Sequence, residues 1–310
     1  ADGPNDVAIG KDADTASSGD NIAIGNNARA QNLRSAAIGL NARASNRDTV
    51  AIGSDTHVYA NEGVAIGHDA KAGGVGSVAL VNSIATGESS FAAGTTASSN
   101  AAYGASGTNA IGLGRFVMAP SYSQVVGYGC QVNGGNSSSV FGWQCTVQAS
   151  NAQAFGTQHM ITSSGQLGTA IGAYGKVSSP GKIAFSNQRM GATGDSQAGL
   201  TVLRRTTGDA SSTYLMTYSG DSESAGYQLI LPNESAMTFT GTVVCRQDAS
   251  DGDNYAGWEI KGVIMRQGQA SDTTLGAGIV NPLYHTSGLA NAVVTLTADT
   301  SVGALKVGVQ

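Results

Sequence analysis

Val50-Ala51-Ile52-Gly53 is one copy of a phrase that returns throughout the first half of this chain. Close copies are Val7-Ala8-Ile9-Gly10, Ile22-Ala23-Ile24-Gly25, Ala36-Ala37-Ile38-Gly39 and Val64-Ala65-Ile66-Gly67. Looser ones end at Gly94, Gly112, Gly127, Gly142, Gly156 and Gly172. The glycines at 10, 25, 39, 53 and 67 are 15, 14, 14 and 14 residues apart. A period this short marks a solenoid, one small unit stacked many times.

Each turn reads as two short strands. The apolar phrase before the glycine has apolar residues on both faces, so both faces are expected to be covered. A second stretch alternates: Ala28 and Ala30 flank Arg29, Ala42 and Ala44 flank Arg43, and Ala70 and Ala72 flank Lys71. That is a half-buried strand with its charge outward. A roll of about 14 residues per turn is too thin to bury both faces of the first strand, so the second cover must come from another chain. Corner glycines supply positive φ or close approach between turns. Val81 stands where a glycine is expected, the Gly94 to Gly112 interval is irregular, and beyond it the first phrase position turns polar (Asn109, Gln124, Ser139, Gln153, Thr169). This reads as a change in how the chains pack.

Residues 1–186 form this array, and 187–199 break the period and read as a neck. From 200 to 310 longer strands are expected at Leu200–Arg205, Ser212–Tyr218, Tyr227–Leu231, Met237–Gln247, Tyr255–Gln267, Thr273–Val280, Ala292–Thr297 and Ala304–Val309. Turn signals such as Pro232-Asn233 and Asp251-Gly252-Asp253 separate them, which suggests an antiparallel sandwich.

Composition narrows the function classes. Charged residues make up 12% of the 310, about half the usual share. Regularly placed hydrophobic residues at 41% exclude disorder. With a net charge of −5 and no basic run, nucleic acid is not an expected partner. No apolar run is long enough for membrane insertion. The chain opens Ala1-Asp2-Gly3-Pro4, which reads as a processed product or a piece of something longer. Three cysteines make no disulfide framework. Cys130 and Cys145 share one slot in consecutive turns at a spacing that permits a bridge, but the alanines of earlier turns favour two small buried thiols.

Over residues 6–186 the repeat resembles the head of trimeric autotransporter adhesins. That resemblance implies a homotrimer and a left-handed parallel β-roll. Neither a heptad stalk nor an anchor segment is read in these residues, so a bacterial adhesin head ranks behind the next reading. Leu203-Arg204-Arg205-Thr206-Thr207, Ile230-Leu231-Pro232-Asn233, Val243-Val244-Cys245-Arg246 and Gly257 to Ile264 resemble the C-terminal domain of tailed-phage tail fibres. Ala298-Asp299-Thr300 with Gly303 to Val307 completes that likeness. It implies an extracellular virion component whose partners are other phage tail proteins and a bacterial surface polysaccharide or outer-membrane receptor. A further strand after Val309 is expected from it, which would leave the last strand at an edge.

Chemistry is sparse. His57 occupies the outward slot of Arg29, Arg43 and Lys71, and reads as a surface residue. His159 occupies the inward cysteine slot, as a satisfied structural histidine or an ion site on a three-fold axis. His68 and His285 lack ligand spacing, so no metal or cofactor is expected. Asp248, Asp251, Asp253 and Asn254 read as a hairpin turn, with an ion site as the alternative. Asp221 with Glu223, or Asp253 with Glu259, could be drawn as a glycosidase pair, but loop carboxylates are usually solvated. The expected recognition residues are Tyr218, Tyr227, Asp251, Asp253, Tyr255, Trp258, Tyr284 and His285, with Trp258 the one most suited to the core. Phe116, Tyr122 and Trp143 are weaker candidates on the shaft.

The expectation is an all-β chain: a trimeric left-handed parallel β-roll (solenoid) shaft, then an antiparallel β-sandwich tip. The resemblance to tail fibres implies a non-enzymatic, receptor-binding fibre. The alternatives are a capsule-depolymerising tailspike fragment and a purely structural trimerisation module.

Overall fold

The computed structural model describes residues 3–16, 19–94, 103–207, 212–217, 227–248 and 252–310. Two compact units account for them: Ala1–Ser178 with Ile183–Gly199, and Ser179–Lys182 with Leu200–Gln310.

In the first unit the phrase strands line up as one sheet of fourteen, from Val7–Ile9 to Ala198–Leu200, among the described residues. The two-residue strands form a second sheet of twelve, from Asp14–Thr15 to Lys176–Val177. Consecutive turns pair in parallel and in register, with Val50, Ala51 and Ile52 opposite Val64, Ala65 and Ile66. About a dozen turns at ~4.8 Å make a stack on the order of 60 Å long.

Alternation along the strand decides what is inside. The middle alanines Ala23, Ala37, Ala51, Ala65, Ala79 and Ala92 are fully buried. Most slots of this thin interior hold only a methyl group; Val58, packed beside Gly63, is the larger exception. Past Gly112 the interior takes Val125, Val140, Val147, Ile161 and Val177, and the phrase strands lengthen from three residues to five, as in Gln124–Tyr128 and Ser139–Trp143. Within one chain, then, the interior widens from that point.

The outer face is uncovered within one chain. Ile9, Ile52, Ile66, Phe141, Phe155 and Ile171 are between 36% and 57% exposed. One roll has one interior, so burial on both faces is not achieved by this chain alone. Trp143 continues its strand past Gly142 and stacks at 6.5 Å on Tyr128 instead of closing a corner.

The corners explain the polar residues between strands. Asp12, Asn27, Asn41, Asp55 and Asp69 sit at φ between 54° and 58°, the left-handed region that Asn and Asp tolerate best. Asn27 donates to Asn41 and Asn41 to Asp55, each at 2.9 Å, so side chains bond up the column as the backbone does. Gly39 has φ 132°, and a Cβ there would collide with the carbonyl of Gly53. Val81 adopts φ 44° at the equivalent corner.

The segment 187–199 folds back onto the last turns. Gly194 donates to the Tyr174 carbonyl at 2.8 Å, and the Gln197 amide bonds both the N–H and the carbonyl of Lys176. The Asp195 carboxylate gathers the N–H groups of Met190, Gly191 and Ala192, which hold it below the usual carboxylate range.

The second unit holds two antiparallel sheets over one core. Ser235–Arg246, Tyr255–Arg266 and Thr274–His285 form one sheet, with Tyr255–Arg266 in the middle. Ala304–Val309 is the centre of the other, with Val294–Asp299 on one side and Thr213–Tyr214 and Leu229–Ile230 on the other. The expectation of a terminal edge strand is therefore wrong. Leu305, Val307 and Val309 are buried, and a strand so apolar belongs at the centre. Trp258, Ile260 and Ile264 of the first sheet share that core.

Candidate functional site

The recognition residues expected from the sequence do not gather in one place. Tyr218 and Asp251 lie outside the described residues. Trp258 is 4% exposed, so it is a core residue and no receptor contact. Tyr227 is half-buried beside the second sheet, its carbonyl accepting from the N–H and Oγ1 of Thr217.

Tyr255 and Tyr284 come together. Tyr284 lies opposite Gly257, and Gly257 is two residues from Tyr255 on the same face of the strand. Because Gly257 has no side chain, the Tyr255 ring reaches across and stacks on Tyr284, with centroids 5.4 Å apart and planes at 29°. Both rings are at least half exposed. A polar clasp fixes the position: Tyr255 N–H donates to Thr286 Oγ1 at 3.2 Å, Thr286 Oγ1 donates to Asn254 Oδ1 at 2.9 Å, and Asn254 Nδ2 donates to Gln247 Oε1 at 2.8 Å. His285 pairs with buried Ala256, so alternation sends it to the other face, away from the stack.

Register adds residues that sequence reasoning missed. Arg246 lies opposite Tyr255, and Val244 opposite Gly257, on the tyrosine face. Arg246 pairs with Asp253 at 3.4 Å, both side chains largely exposed. Glu259 continues the face and accepts from Asn281 Nδ2 at 3.5 Å. The surface is thus an aromatic pair rimmed by a guanidinium, two carboxylates and an amide. The signal in the sequence was the hairpin turn, which fixes the register between Arg246 and Tyr255.

The remaining flagged residues are structural. His159 is buried inside the roll: Nδ1 accepts the Gly175 N–H at 2.9 Å, and Nε2 donates to the Phe155 carbonyl at 3.0 Å. The Cys130 and Cys145 thiols are free and buried, and the bond to Cys130, with burial, pushes Cys145 up. Asp248 and Asn254 sit at the ends of a hairpin closed by the Gln247 N–H on the Asn254 carbonyl at 2.9 Å. Asp221 and Glu223 lie outside the described residues. Asp253 and Glu259 are held apart by extended strand, with Tyr255 to Glu259 alone spanning about 13 Å.

Among protein families, the YadA head domain repeat matches residues 16–42, 30–56 and 59–80. No curated protein matches the chain. The matched residues are turns of the in-register Val-Ala-Ile-Gly strands described above. The roll therefore carries adhesin-type head repeats.

Proposed function

We propose that this chain is the receptor-binding part of a homotrimeric fibre that attaches a tailed phage to a glycan on a bacterial surface. The observation that carries the reading is the exposed Tyr255–Tyr284 stack within its polar rim. Ring faces accept the C–H side of a sugar, and Arg246, Asp253, Glu259 and Asn281 offer hydrogen bonds to hydroxyls. The uncovered apolar columns of the roll support self-association, and head repeats of this type support three copies. Three tips on one fibre raise effective concentration, so each site can be weak.

Binding of the labelled full-length chain to bacterial cells and to a glycan array tests this. Tyr255→Ala with Tyr284→Ala is expected to weaken binding by about tenfold or more, the loss of two stacked rings. Undiminished binding by that variant overturns the reading. Release of reducing sugar from capsule would point to a depolymerase instead. The matched head repeats favour one second reading, a bacterial surface adhesin, in which bacterial cells are not bound and the receptor lies on another cell type.

A further inference from the structure

The short-strand sheet of the roll carries one charged column. Arg29 pairs with Arg43, Arg43 with His57, and His57 with Lys71, each directly opposite the next. Their neighbours Ala30, Ala44, Val58 and Ala72 are fully buried, so alternation turns the four cationic or ionisable side chains outward. The column is bounded: Asp14 precedes it and Ile84 follows it. Four groups therefore stand on one line over roughly 14 Å.

Stacking like charges directly opposite one another is unfavourable. Among the described ion pairs an acid relieves it at Lys71 alone. Among the described residues Arg29 and Arg43 have no carboxylate within ion-pair distance, and Arg29 Nε donates to the neutral Asn27 Oδ1 at 3.2 Å. Lys71 is paired with Asp69 at 3.0 Å. Burial, then Arg43 and Lys71, hold His57 below its ordinary value. A second feature adjoins the column. Tyr59, half exposed, stacks on His57 at 3.8 Å, and Ser45 Oγ bonds His57 Nε2 at 3.2 Å.

We propose that Arg29, Arg43, His57 and Lys71, with Tyr59 beside them, form a docking ladder for a linear polysaccharide bearing carboxylates. Three fixed cations, Arg29, Arg43 and Lys71, over roughly 14 Å suit a linear polymer with a carboxylate on every sugar or every second sugar. Duplex nucleic acid, charged every ~1.7 Å, relies on more contacts than four, and a chain of net charge −5 repels so dense a polyanion. Tyr59 supplies a ring face for a sugar. This ladder is separate from the tyrosine surface of the second unit and does not rest on it.

The test uses the full-length chain with hyaluronate, neutral dextran and single-stranded poly(dT), at low and physiological salt. Hyaluronate is expected to bind and to weaken with salt, while dextran does not bind. Arg29→Gln with Arg43→Gln is expected to weaken hyaluronate binding by about tenfold or more. Arg29→Lys with Arg43→Lys keeps the charge and retains binding, which separates lost recognition from a damaged fold. Lys176→Gln, in the same column many turns away, leaves it unchanged. No hyaluronate binding, equal binding by the Gln variant, equal binding of dextran, or a preference for poly(dT) each overturns the proposal.

Discussion

His159 replaces the small residue of earlier turns and satisfies both ring nitrogens with backbone groups. Those partners fix a neutral tautomer, protonated at Nε2. His159→Ala is expected to cost about 2–4 kcal/mol, from a cavity and two orphaned backbone groups, read as a lowered unfolding midpoint. Burial holds the His159 pKa below 6.5, against bonds that raise it. The unfolded chain then takes up a proton that the fold refuses, so stability falls as pH drops through about 6.5. A thermal midpoint that does not fall between neutral and mildly acidic pH would contradict this. Asp299 titrates with the opposite balance. Burial raises it, but hydrogen bonds from Ser301, Lys306 and Gln228 outweigh burial and hold it well below the usual carboxylate range. Its contribution is present above about pH 3.9 and is lost as pH falls below that. Asp299→Asn is expected to lower stability at neutral pH by about 2 kcal/mol, measured by denaturant unfolding.

At the scale of elements, glycines at positive φ differ in what they prevent. At Gly39 a side chain meets the next turn's backbone, whereas at Gly181, φ 66°, nothing lies within 4 Å of a Cβ. Gly181→Ala should cost only the left-handed conformation, about 1–2 kcal/mol. Gly39→Ala should cost clearly more, because both neighbouring turns must shift. Equal midpoints for the two variants would sink the close-approach argument. Val81→Gly is expected to stabilise the roll by about 1 kcal/mol, since a β-branched residue at φ 44° is strained. The roll was legible because Val-Ala-Ile-Gly repeats at fixed spacing, so inward and outward slots could be assigned residue by residue, His159 and Cys145 included. The tip was less legible. Thr274–His285 runs five residues past the expected end at Val280, through Asn281 and Pro282. Proline is tolerated there because the strand is an edge strand and the register shifts beside Trp258. The Tyr255–Tyr284 contact depends on that pairing, so the site could be named from its aromatics but not assembled from them.

For the whole molecule, the uncovered columns from Ile9 to Ile171 predict association in solution. A mass three times the 31.0 kDa of one chain is expected, and Ile52→Glu with Phe155→Glu should reduce it. A single-chain mass for the unaltered protein removes the trimeric argument. The folded-back segment at 187–199 bears on a different hazard. A parallel roll is a growth front: each turn is the template for the next, and the last one would present unsatisfied N–H and C=O groups to any passing strand. Ala198–Leu200, the final strand of the fourteen, occupies that position, and the Asp195 nest ties the segment leading to it. Length is thus set by a stop signal as well as by the count of repeats. Asp195→Ala should loosen the stop, and sedimentation would show it as end-to-end polymers of indefinite length.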